Sequence, residues 1–142
     1  MSGLQRGAEE ILSFVVAGFS ELRREDLDIL SLEAESLVYR LVPGPSHLRP
    51  GGTLSGPTLV TVADLGLYLL LLARGAPPGC VTSTLTAHFL RRPAPCAVIA
   101  RVRLLKQSRR TAVGEVSLYS EGDEAGGPIA HVSLAYAIPA QA

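Results

Sequence analysis

Between Pro57 and Ala73 nearly every residue is apolar, and one carboxylate, Asp64, interrupts the run. Ser55-Gly56-Pro57 precedes it, placing proline where the first turn of a helix accepts it, and Arg74-Gly75 with the prolines after it ends the run. A helix over this stretch has apolar residues on almost every side (Leu59, Val60, Val62, Ala63, Leu65, Leu67, Leu69, Leu72), so no face suits water. The rest of the chain must therefore surround it.

Four later segments have strand composition: Val81 to Leu90, Ala97 to Lys106, Thr111 to Ser120 and Ile129 to Ile138. Turn signals at Pro93-Ala94-Pro95, Gln107 to Arg110 and Gly122 to Pro128 are short enough to join neighbouring antiparallel strands. Upstream, Ile11, Leu12, Val15, Phe19 and Leu22 recur at steps of three and four, predicting a helix from Ala8 to Leu22. After a charged link, Ile29 to Val42 reads as one strand, with Leu37, Tyr39 and Leu41 alternating against Val38, Arg40 and Val42. The expectation is an α+β fold in which a five-stranded antiparallel sheet curls around the central helix. A ferredoxin-like layer would need a second amphipathic helix among the later strands, and none is evident.

At 142 residues the chain is sized for one domain, with residues 1–28 as helix and link and 29–139 as the core. Apolar residues make up 47% against 18% charged, so another copy is expected to cover part of the surface. Thirteen basic and thirteen acidic side chains cancel, leaving no global field to gather nucleic acid or an acidic membrane. The apolar run Ile11 to Phe19 follows Glu9 and Glu10 rather than a basic start, and Leu65 to Ala73 is short for a bilayer, so a cytoplasmic location is expected. Cys80 and Cys96 lack redox or zinc spacing and read as reduced structural cysteines.

Burying the Asp64 carboxylate costs several kcal/mol unless it is paired, so it is either a functional acid or a helix residue that reaches solvent at the sheet's edge. Gly56, just ahead of Pro57, would present an unsatisfied N–H at the positive end of the helix, able to polarise a carbonyl oxygen; a plain entry turn is the alternative. Gly56 and Asp64 are eight residues apart, roughly 12 Å at ~1.5 Å per residue, too far to act on one carbon. If they cooperate, Gly56 of one copy faces Asp64 of another, which requires a dimer with two symmetric sites. Thr82, Thr84 and Thr86 are expected on one strand face and Ser83 on the other, first as residues that simply favour a strand, with one hydroxyl orienting Asp64 or a water as the alternative. Arg91, Arg92, Lys106, Arg109 and Arg110 gather at strand ends, as phosphate ligands or as a solvated rim. Gly51, Gly52 and Gly56 lack the lysine of a nucleotide loop, and His47, His88 and His131 fit neither a serine-hydrolase pattern nor a metal site.

The stretch Arg49-Pro-Gly-Gly-Thr-Leu-Ser-Gly-Pro-Thr-Leu-Val-Thr-Val-Ala-Asp64, then Phe89-Leu-Arg-Arg-Pro93 and Ala135-Tyr-Ala-Ile-Pro139, resembles hotdog-fold acyl-CoA thioesterases of the phenylacetate-pathway (PaaI) type over about Ile29 to Pro139. The resemblance implies Gly56 as the N–H that polarises the thioester carbonyl, Asp64 as the catalytic acid and Thr82 as the hydroxyl beside it. It also implies Arg49 at the polar loop position and an active site shared between subunits. The family's histidine-glycine-glycine triplet reads Ser55-Gly56-Pro57 here, so the histidine and second glycine are replaced. Ser55 and Thr84 join the basic residues as expected substrate contacts. The implied activity is hydrolysis of an acyl-CoA by a homodimer or a dimer of dimers, with no metal and no cofactor beyond the coenzyme A of the substrate. A non-catalytic binder of acyl-CoA or an aromatic acid, and a structural subunit without a ligand, are the alternatives.

Overall fold

The computed structural model describes residues 3–44, 47 and 52–140. Helix α1 (Ala8–Gly18) leads into β1 (Leu27–Glu33) and β2 (Ser36–Leu41), then the long α2 (Gly56–Ala73), and finally β3 (Val81–Phe89), β4 (Val98–Gln107), β5 (Thr111–Ser120) and β6 (Ala130–Ala137). All six strands form one antiparallel sheet in the order β1-β2-β4-β5-β6-β3. The apolar α2 lies against five of them, β2 to β6, as the hotdog arrangement requires. Its length and hydropathy would also suit a bilayer, but 67% of it is buried inside the protein.

Two features of this sheet differ from expectation. The single strand read over Ile29 to Val42 is a hairpin, so the sheet has six strands rather than five. It folds at Ala34-Glu35, which carries no glycine, proline or asparagine to announce a turn. Distant groups hold it: Leu104 N–H donates to the Glu35 carbonyl at 2.9 Å, and the Arg74 guanidinium, beyond the end of α2, donates to the Ala34 carbonyl. The four later strands are also not a meander. β4, β5 and β6 are, but β3 pairs with β6 at the sheet's edge, so the link through Pro93 crosses β5 and β6 instead of closing a hairpin.

Helix and sheet meet closely. A β-carbon on Gly66 of α2 would stand 2.8 Å from Val102 Cγ2, and one on Gly114 of β5 would stand 2.9 Å from Leu67 Cδ1. Tyr39, fully buried, donates its hydroxyl to the Val62 carbonyl at 2.5 Å, so the core carries no orphaned phenol. At the other end of α2 the N-terminal segment caps the helix: Gln5 and Arg6 N–H groups donate to the Ala73 carbonyl, and the Arg6 guanidinium donates to the carbonyls of Leu72 and Ala76. α1 buries Ile11, Leu12 and Val15 and stops at Gly18, a turn earlier than its periodicity predicts. Phe19 is already extended, so Phe19 to Leu22 leave the helix as a link.

Candidate active site

Asp64 sits midway along α2, half-buried, with its Oδ1 at the focus of two hydroxyls. Thr82 Oγ1 of β3 donates to it at 2.5 Å and the Tyr136 hydroxyl of β6 at 2.8 Å. Thr82 and Tyr136 are opposite each other in the β3–β6 register, so one cross-strand pair delivers both donors to the helix. The Tyr136 hydroxyl also lies 3.0 Å from the Asp64 backbone carbonyl. Burial and the Asp64 charge hold the Tyr136 phenol far above its ordinary range, against the opposing Thr82 hydrogen bond, so it stays protonated and serves as a donor. Asp64 Oδ2 has no partner among the described residues. Every buried side-chain oxygen or nitrogen described has one, so Oδ2 is within reach of solvent.

Asp64 lines a cavity of about 260 Å³ with Thr61, Leu65, Tyr68, Cys80, Val81, Thr82 and Tyr136. Its remaining wall, Phe19, Glu21 and Leu22, comes from the link after α1. Tyr68 stacks on Tyr136 with ring centres 6.3 Å apart and donates its hydroxyl to the Pro78 carbonyl. Cys80 is a free, buried thiol whose pKa burial raises, which disfavours the thiolate a nucleophile would need.

The start of α2 faces a second cleft, about 630 Å³, lined by Thr53, Leu54, Gly56, Leu59, Phe89, Leu90, Arg91, Arg92 and Pro93. Ser55 is the N-cap. Its Oγ accepts from Thr58 N–H at 3.1 Å and contacts the Thr58 hydroxyl at 2.8 Å, and its carbonyl accepts from Leu59 N–H. Pro57 has no N–H, so the Gly56 N–H is the first-turn donor left without an acceptor among the described residues. Packing within the chain does not demand glycine there, because an added β-carbon would meet Phe89 at an ordinary 3.5 Å.

The sequence-predicted residues thus fall into several groups. Asp64 and Thr82 are in direct contact, while Gly56 opens into a different cavity of the same chain. Ser55 is engaged as a helix cap rather than displayed as a free hydroxyl. Thr84 does not share a face with Thr82: a β-bulge between them shifts the register, so Leu85 and Ala87 pack inward while Thr84 and Thr86 are exposed. The five basic residues do not form one cluster. Arg91 and Arg92 follow the end of β3 beside Gly56, whereas Lys106, Arg109 and Arg110 lie at the β4–β5 turn. Thr111 and Val81 both pair with Ala137, which puts that turn level with the start of β3 across β6, roughly 26 Å from the end of β3 at ~3.3 Å per residue. Arg91 is tied to Asp123 at 3.1 Å and to the Gly127 carbonyl at 3.0 Å, and Arg110 to the Ile138 carbonyl at 3.1 Å. Arg49 and Gly51 lie outside the described residues.

His131 pairs with Glu115 at 3.1 Å and His47 accepts from Gly44 N–H at 2.7 Å; no three His, Cys, Asp or Glu groups among the described residues could hold a metal together. Sequence reasoning gave Tyr136 no role, although the alternation of β6 turns it inward with Val132 and Leu134, and it read Phe19 and Leu22 as helix residues.

The family model of the thioesterase superfamily matches residues 51–126. Among solved structures, a proposed thioesterase of Silicibacter sp. TM1040 is 32% identical, with 98% of this chain and 96% of that one covered and a TM-score of 0.86. A mutant of the phenylacetic acid degradation protein PaaI from Thermus thermophilus is 27% identical, covering 80% of this chain and 93% of that one at a TM-score of 0.67. The fold recurs in a hypothetical thioesterase of Streptococcus pneumoniae TIGR4 solved with coenzyme A, 17% identical, with 95% and 98% covered and a TM-score of 0.76. A search of curated proteins finds no match.

Proposed function

Because the chain belongs to the thioesterase superfamily, we propose that it hydrolyses an acyl-CoA, or a related thioester, to a free acid and a thiol in a site shared by two copies of the chain. The observation that carries this reading is the Asp64 carboxylate, held on one oxygen by Thr82, its other oxygen unpartnered among the described residues, in the wall of a mainly apolar cavity. As a water oxygen bonds to the thioester carbonyl carbon, Asp64 takes its proton, and the Gly56 N–H of the second copy stabilises the charge on the carbonyl oxygen. The C–S bond then breaks, and the departing thiolate takes the proton back from Asp64. Direct attack by Asp64, through an anhydride that water opens, uses the same groups.

The acyl group occupies the cavity beside Asp64, with Phe19 and Leu22 as its far wall. Arg91 and Arg92, in the Gly56 cleft, take the phosphates of coenzyme A. Arg49 contacts the carbonyl region or those phosphates, while Lys106, Arg109 and Arg110 join only if the second copy supplies them. Dimerisation has a ready surface in the unpaired side of β3, where Val81 is 60% and Phe89 55% exposed. A dimer of dimers remains compatible with the outer sheet face, where Leu105 is exposed. We propose a cytoplasmic enzyme that works with no resident metal or cofactor.

The test is thiol release from short, long and aromatic acyl-CoA esters, with Asp64→Asn alongside. Hydrolysis by the native chain, lost in the variant, is the expected result. Tight binding of acyl-CoA without thiol release from any ester identifies a binder instead, the reading favoured by Ser55 at the family's histidine position.

A further inference from the structure

Resting on the reading of Asp64 as the reacting acid, we infer that Tyr136 is a positioning residue: with Thr82 it fixes Oδ1 of Asp64 and so makes Oδ2 the oxygen that reacts. A carboxylate turns easily about its last torsion, because an sp³–sp² bond has broad, roughly two-fold minima. A single donor such as Thr82 leaves that rotation partly free. A second donor reaching the same oxygen from another strand restricts it, and the two approach from 2.5 and 2.8 Å. Oδ2 is then the oxygen left without a partner among the described residues, on a side chain that lines the cavity.

The arrangement is braced beyond first contact. Tyr136 is 3% exposed, and its ring stacks on Tyr68, whose own hydroxyl is fixed to the Pro78 carbonyl. The hydroxyl has a second acceptor in the Asp64 backbone carbonyl at 3.0 Å, so its single proton is shared between the main chain and the side chain of one residue. This ties the carboxylate to the axis of its own helix. A tyrosine serving only to fill the core would need no hydroxyl, and one satisfying only its own buried hydroxyl would need just the carbonyl.

The experiment compares native enzyme, Y136F, D64N and protein carrying 3-fluorotyrosine at position 136, measuring kcat, KM and Tm for the ester cleaved best. Loss of one charge-assisted hydrogen bond predicts a fall in kcat of roughly 10- to 100-fold in Y136F, with KM within about twofold because phenylalanine keeps the ring that lines the cavity. Fluorotyrosine keeps ring and hydroxyl, so its kcat exceeds that of Y136F; should Y136F fold poorly, 4-fluorophenylalanine at the same position fills the place of the hydroxyl without a donor and should show the same loss. Abolished turnover in D64N with unchanged kcat in Y136F overturns this inference and leaves the proposed function standing. Equal loss in Y136F and in the fluorotyrosine protein also overturns it, since the hydroxyl is then irrelevant. Native turnover in D64N overturns the parent reading and this one together.

Discussion

Thr82 Oγ1 donates to Asp64 Oδ1 at 2.5 Å, joining the edge strand β3 to the middle of the buried helix by a charge-assisted bond. Removing the hydroxyl while keeping the shape, in Thr82→Val, is expected to lower kcat roughly 10- to 100-fold with little change in KM. Thr82→Ser, which keeps the donor, should stay within about fivefold of native. Steady-state kinetics on one ester decide it, and a native kcat in the valine variant would show that this bond has no part in turnover.

Two buried phenols set an alkaline limit on stability. Tyr39 is fully buried, and burial raises its pKa well above the ordinary value near 10, as it does for Tyr136. The raised value means the folded chain keeps these protons where the unfolded chain loses them. The contribution is therefore intact below pH 10 and is lost as pH rises past it, at about 1.4 kcal/mol per pH unit for each phenol. Thermal unfolding between pH 8 and pH 11 should show Tm falling above pH 10, less steeply in Y136F than in the native chain. A Tm that stays flat to pH 11 contradicts the burial of these hydroxyls.

The link after α1 should select the acyl group. Leu22 forms part of the wall facing Asp64, so Leu22→Ala enlarges the cavity without touching the groups that carry the chemistry. The expected outcome is a gain of about tenfold in kcat/KM for bulkier acyl chains relative to the best native substrate, the size of effect a few methylenes have in an apolar pocket. An unchanged ranking across an acyl-CoA panel would place the acyl group elsewhere.

The sequence announces α2 most plainly: Ser55-Gly56-Pro57 and Arg74-Gly75 punctuate a wholly apolar run, and the helix spans Gly56–Ala73. β4, β5 and β6 also follow their composition, because each presents a strong alternating or apolar pattern between clear breakers. What the sequence hides is fixed at long range. The Ala34-Glu35 turn depends on Arg74 and Leu104, far along the chain, and the pairing of β3 with β6 leaves no trace in either strand's periodicity. The bulge after Thr82 reverses the face of Thr84, since one extra residue flips a two-residue period. Asp64 stands out as the lone charge in its helix, but the second hydroxyl on it, Tyr136, arrives through a cross-strand register that emerges only with the fold.

The shared site is tested most directly by mixing two inactive chains, Asp64→Asn and Gly56→Pro, the second deleting the N–H at a helix position that accepts proline. Each variant alone should be inactive, while Gly56→Ala, which keeps the N–H and has room beside Phe89, should retain turnover. In an equal mixture half the dimers are mixed and each mixed dimer has one intact site, so thiol release should recover to about one quarter of native. A mixture that stays inactive, although native mass spectrometry finds mixed dimers in it, would contradict a site built from Asp64 of one copy and Gly56 of the other.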